Sequence, residues 1–175
     1  MCYDNEYRMN KSRREKIMKK RIVFATGNAG KMKEIKMILG DLGMPVVSMK
    51  EAGIEADIVE DGTSFAENAQ IKASAVFEKC HDIVLADDSG LEIDYLNKEP
   101  GIYSARYMGE DTSYHIKNAN LISRLEGVSD EKRTARFVCA IAAVLPNGEV
   151  LHSEGTIRTS FPLPLPFLPF PLRRF

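Results

Sequence analysis

Three short stretches of this 175-residue chain hold residue types that could act on a charged substrate. The first is Thr26-Gly27-Asn28-Ala29-Gly30-Lys31, where an apolar run gives way to small residues and then to a cation. Glycines let backbone N–H groups approach an anion, a following helix places about half a positive charge at its N-terminus, and Lys31 adds a full one. This is a candidate phosphate cradle of neither standard kind. Two residues separate Gly27 from Gly30-Lys31 where a Walker A loop needs four, Met32 stands where Ser or Thr would hold magnesium, and no G-x-G-x-x-G is formed. The second stretch, Asp87-Asp88-Ser89-Gly90, sets two carboxylates at the end of an apolar run, where open α/β folds build their sites. Adjacent strand residues point to opposite faces. We therefore expect Asp88 to face a ligand and Asp87 to act as a support bonded to backbone. The third joins Glu60, in a loop, to Lys72, two turns inside the helix that follows, beside its apolar stripe.

Each stretch alone is equally an ordinary βα turn, a solvated acidic turn or a snorkelling surface lysine. Together they hold two cations and two isolated carboxylates, which suits magnesium-assisted chemistry on a polyphosphate. Nucleophilic catalysis has less support, because Ser89 lies in no G-x-S-x-G and no cysteine stands beside a base.

The elements that must carry these residues follow from periodicity. Ile22 to Ala25 is a short buried strand, and Met32, Ile35, Leu39 and Leu42 recur at helical spacing up to Gly43 and Pro45. Val46-Val47 begins a second strand. Ser64-x-x-Glu67 is a capping box opening a helix with Phe65, Ala69, Ala73, Val76 and Cys80 on one face. Ile83 to Ala86 forms a strand that runs into the Asp87–Gly90 turn, with another strand from Leu91. Ile116, Ala119, Ile122 and Leu125 mark a third helix, and two strands, Arg136 to Leu145 and Glu149 to Ile157, meet at Asn147-Gly148. The expected fold is α/β: a mixed, twisted central sheet flanked by helices, with a cleft between two lobes.

Composition narrows the function further. The net charge of −1 averages unlike parts: residues 21–154 carry 14 basic against 22 acidic side chains, net −8, between ends that are basic. An acidic body lacks the concentrated basic surface that stable nucleic-acid binding requires, and it suits divalent cations. No eighteen apolar residues run together and the first twenty hold no signal-peptide core, so a cytoplasmic protein without membrane spans is expected. Three distant cysteines give no disulfide framework; Cys80 and Cys139 are expected in the core.

TGNAGK at 26–31, DGTSFAENAQIKA at 61–73, ADDSGL at 86–91 and PGIYSARY at 100–107 occur in that order. With them the chain closely resembles the inosine triphosphate pyrophosphatase family over residues 21–158. The resemblance implies Mg²⁺-dependent hydrolysis of non-standard purine nucleoside triphosphates (ITP, dITP, XTP) to the monophosphate and pyrophosphate. It further implies that Thr26, Gly27, Asn28, Ala29, Gly30, Lys31 and Lys72 bind the triphosphate and that Ser89 contacts substrate. Glu60 and Asp88 would hold the metal, with Asp88 also the base for the attacking water. Arg106 would lie beside the site as a substrate-binding residue or a support of the fold, and members are commonly homodimers.

The family's later elements, a Phe-Gly-Tyr-Asp motif, a lysine, a Ser-His-Arg motif and a closing helix, do not follow Arg158. The expected organisation is a basic, disordered extension at 1–20, a pyrophosphatase-like domain at 21–158 and an aberrant Pro/Leu/Phe-rich tail at 159–175, whose composition suggests a frame-shifted translation and a truncated C-terminus. On that view the alternative is a non-catalytic remnant that binds Mg-nucleotide weakly or associates with a full-length subunit.

Overall fold

A computed structural model of the chain describes residues 21–160; Cys2, the 1–20 extension and the tail from 161 onward lie outside the described residues. The elements in order are β1 (Ile22–Phe24), α1 (Ala29–Ile38), β2 (Val46–Ser48), α2 (Phe65–Cys80), β3 (Ile83–Ile93), α3 (Tyr114–Ser123), β4 (Thr134–Val144) and β5 (Val150–Ser160). They form one mixed sheet in the order β2-β1-β3-β4-β5. β1 pairs in parallel with β2 and β3, whereas β3, β4 and β5 are antiparallel.

Strand parity divides the core. Val84, Ala86, Ala142 and Val144 face α2, packing with Ala69, Ala73 and Val76. The intervening residues face the other way: Ile83 and Leu85 join Met32 and Ile35 of α1, while Leu91 and Ile93 join Leu121 and Leu125. The sheet is thus covered on one face by α2 and on the other by α1 and α3, as apolar alternation on each strand requires.

The capping box over-specifies the start of α2. Ser64 Oγ accepts the Glu67 N–H at 3.2 Å, and Glu67 Oε2 accepts both the amide and the hydroxyl of Thr63 at 2.6 Å. Those two Thr63 bonds hold the Glu67 carboxyl below its ordinary range. Ser64→Ala removes one of the orphan-amide acceptors, and its expected cost, read from urea unfolding, is about 1 kcal/mol.

Three expectations are corrected. The Asp87–Gly90 turn does not exist: β3 is one unbroken strand of 11 residues, because β4 pairs with it without a gap from Val84 to Ile93. The first helix ends at Ile38 and Gly40–Leu42 is a separate 3₁₀ turn, leaving Leu42 exposed; Gly43, at φ 68°, still supplies the left-handed stop. The third helix is turned by one residue. Lys117, Leu121 and Leu125 are buried, whereas Ile116 and Ile122 are about half exposed, at 52% and 49%. The hairpin stands where expected, with Gly148 at φ 83° and its N–H donating to Leu145 O.

Candidate active site

β1 is only three residues long, so β3 outgrows it: the parallel pairing stops at Leu85. Further along, the same edge of β3 is filled by Glu99 and the PGIYSARY segment that follows it, with the Leu91 N–H donating to Ser104 Oγ at 2.9 Å and the Ile93 N–H to Glu99 O at 3.1 Å. Asp87, Asp88 and Ser89 lie in the gap between. They are mid-strand residues at the C-terminal end of a neighbouring strand, which preserves the expected position without the expected turn.

Parity sends their side chains apart. On the α2 face, Lys72 Nζ stands 3.2 Å from Glu60 Oε2 and 3.7 Å from Asp88 Oδ1, so one ammonium joins both carboxylates. The Lys72 side chain is only 14% exposed, unlike a surface lysine. Asp88 accepts the Asn68 amide at Oδ2 (3.1 Å) and the Ser89 N–H at Oδ1 (2.9 Å). Burial pushes its carboxyl above the ordinary range; Lys72 and Asn68 oppose that rise, and the Glu60 charge adds to it. On the opposite face, Lys31 Nζ lies 2.6 Å from Asp87 Oδ2 and 3.3 Å from Ser89 Oγ. Asp87 therefore supports Lys31 and not, as expected, the backbone.

A cavity of about 580 Å³ takes in Lys31, Glu60, Lys72, Asp88 and Ser89 together with Lys117, Tyr114 and Cys139. Cys139 opens onto this cavity and is exposed, contrary to its expected place in the core. Thr26, Gly27, Asn28 and Ala29 line a second groove of about 710 Å³, bordered by Lys33, Lys36 and Lys50. The cradle is also more closed than its sequence suggests. Asn28 is the N-cap of α1 and its Oδ1 accepts the N–H groups of Gly30 and Lys31 at 2.8 and 3.3 Å. Asn28 N–H donates to Thr26 Oγ1. Among the described residues the amides of Gly27 and Ala29 have no partner, so these are the loop's free donors.

Arg106 is not brought to the cavity: its guanidinium lies 4.8 Å from the Tyr103 ring centroid. The rest of its motif is held by packing and hydrogen bonds. Lys117, 3% exposed, donates to Ala105 O at 2.6 Å, and Tyr107 donates its hydroxyl to Asn120 while accepting from Arg124. Two residues escaped the sequence reading. Asn68 is fully buried, and with Phe65, Lys72 and Val76 it continues a helical i, i+3, i+7 spacing that marked it as inward-facing. Lys117 had no such signal, since the apolar residues around it pointed to the neighbouring stripe.

The carboxylates of Glu60 and Asp88 are hard oxygen donors that converge on one point, and their combined charge exceeds that of the single lysine between them. Among the described residues no cluster of three acidic, histidine or cysteine side chains offers an all-protein cage. Two carboxylates fit a magnesium ion that takes its remaining ligands from water and substrate phosphates.

Comparison with known proteins identifies the family of the chain. The sequence model of the Ham1 family matches residues 22–161. A dITP/XTP pyrophosphatase from Clostridium perfringens (strain 13 / Type A) is 46% identical over 142 residues, 78% of this chain and 70% of the relative. One from Bacillus subtilis (strain 168) is 45% identical over 141 residues, 81% and 71% of the two chains. Among solved structures, the Staphylococcus aureus Ham1 protein aligns with a TM-score of 0.73 at 39% identity, covering 81% of this chain and 71% of its own. A HAM1 protein from Coxiella burnetii also gives 0.73, at 34% identity, over 80% and 72%.

Proposed function

The chain belongs to the Ham1 family, and from that premise we propose that it hydrolyses non-standard purine nucleoside triphosphates, ITP, dITP and XTP, to the monophosphate and pyrophosphate. The observation that carries the reading is the convergence of Glu60 and Asp88 on Lys72 where the edge of β3 passes beyond β1. Glu60 and Asp88 would hold Mg²⁺, which when bound neutralises charge developing on the phosphates.

The chain's own groups then divide the work. Lys72 and Lys31 meet the polyphosphate as cations, the free amides of Gly27 and Ala29 donate to it, and Ser89 Oγ contacts it from the Lys31 side. Asp88 accepts the proton of the attacking water. A bond forms between that oxygen and the α-phosphorus, the bond to the β-bridging oxygen breaks, and pyrophosphate leaves. Gly30 contributes by shape, its amide being used by Asn28, and Arg106 packs on Tyr103 outside the cavity. This chemistry belongs in the cytoplasm with the nucleotide pool, in a homodimer; no helix among the described residues is long and apolar enough to cross a membrane.

Hydrolysis of ITP in ¹⁸O-water tests the reading. Label is expected in the monophosphate, release is expected to stop with EDTA and return with magnesium, and ATP is expected to turn over more slowly. Label in pyrophosphate overturns attack at the α-phosphorus. A folded protein with no ITP-dependent release is a nucleotide-binding remnant instead.

A further inference from the structure

Asn68 is fully buried and joins Asp88 to the loop that carries Glu60. Its Oδ1 accepts the Gly62 N–H at 2.9 Å, in the loop two residues after Glu60, and its Nδ2 donates to Asp88 Oδ2 at 3.1 Å. The two demands are opposite in kind. A backbone amide offers only a hydrogen, and an ionised carboxylate only accepts one, so the bridging group needs one acceptor and one donor at fixed separation. Asparagine supplies both; aspartate would set acceptor against acceptor, leucine would leave both groups unpaired, and glutamine is one methylene too long. The fit extends to the partner. A Cβ on Gly62 would lie 2.7 Å from Asn68 Oδ1 and 2.9 Å from Glu67 Cβ, so the loop approaches this closely only because residue 62 has no side chain.

Lys72 lies one turn further along the same face of α2 and bridges Glu60 to Asp88. The helix therefore joins the loop to β3 twice, once through a neutral amide and once through a charge. A divalent cation bound between the carboxylates displaces or weakens the charged link, whereas the amide link has no reason to open. We propose that Asn68 is a positioning residue, which acts through Gly62 and Asp88 to hold Glu60 and Asp88 at the separation a divalent cation requires. This rests on the cation reading given above.

The test is Mn²⁺ binding to the full chain without nucleotide, followed by electron paramagnetic resonance, with thermal unfolding measured alongside. Asn68→Leu and Gly62→Ala break the same contact from opposite sides, so the second serves if the first does not fold. Each is expected to weaken Mn²⁺ binding by about 10-fold, as loss of a group supporting a metal ligand commonly does, and the double variant to be no weaker than the worse single one. Excess Mn²⁺ is expected to restore turnover in both but not in Asp88→Asn, a rescue that a purely structural defect would not show. If the folded variants bind Mn²⁺ as the wild type does while Asp88→Asn does not, the role of Asn68 is refuted and the cation site stands. If wild type and Asp88→Asn bind it equally or not at all, the cation reading itself fails, and the proposal with it.

Discussion

Asp88→Asn is expected to lower ITP-dependent pyrophosphate release by about 10²- to 10⁴-fold, the usual range for loss of a general base. The substitution keeps the shape of the side chain and one acceptor for the Ser89 N–H. It removes the charge shared with Lys72 and places an amide nitrogen against a donor, from Ser89 or from Asn68. Stability should respond in the opposite direction. Burial raises the Asp88 carboxyl above its ordinary value, so the folded state binds this proton more tightly than the unfolded chain. Ionisation then costs the fold stability as pH rises through the interval between the ordinary and the raised value. Asparagine carries no such cost. The variant, measured by urea unfolding against wild type, should therefore gain relative stability as pH rises above the ordinary carboxylate range, while losing activity throughout. Activity within 10-fold of wild type would remove Asp88 from the role of base.

Gly90→Ala should have the largest effect on folding. Gly90 lies mid-strand, and a Cβ there would stand 2.5 Å from Ser104 Oγ, 2.6 Å from Gly101 O and 2.9 Å from Phe65 Cε1. Two of the three are poorly able to yield: Gly101 O accepts the Ser104 hydroxyl, and Phe65 belongs to the packed cluster with Val138 and Ala140. Ser104 Oγ is also the acceptor of the Leu91 N–H, so moving it breaks the edge of β3 as well. Overpacking of this kind costs about 1–3 kcal/mol, and the upper end is expected. Gly155→Ala on β5 is the control, since a Cβ there meets nothing within 4 Å; it should be neutral or slightly stabilising. Equal unfolding midpoints for the two variants would show that the close approach at Gly90 is relaxed in solution.

Gly148 and Gly90 show where sequence alone was informative and where it was not. Ser64 and Glu67 act within one helical turn, and Asn147-Gly148 within one hairpin, so their chemistry is local and their elements were found. Gly90 follows two aspartates and a serine, which is also how a turn is spelled, and only the distant partners β4 and Ser104 make it a strand residue. The stripe on α3 failed for a related reason. Its true inward face contains Lys117, whose apolar stem is buried and whose ammonium is satisfied by Ala105 O, 12 positions earlier in the chain. Among site residues, Lys31, Lys72, Glu60, Asp88 and Ser89 were visible as types at suggestive spacing and do line one cavity. The pairing of Lys31 with Asp87, 56 positions away, was not visible, because a one-dimensional pattern does not say which charges meet.

The alternation along β3 also distinguishes two kinds of genetic lesion. A missense change at Asp87 would cost Lys31 its counter-ion and leave Asp88 in place. An in-frame deletion of codon 87 would do more, because strand parity is counted from the first paired residue. Every side chain from Asp88 onward would change sides, moving the carboxylate away from Lys72 and turning Leu91 and Ile93 out of their cluster beneath α3. At this strand the reading of one amino acid fewer is a heavier loss than the reading of a wrong one.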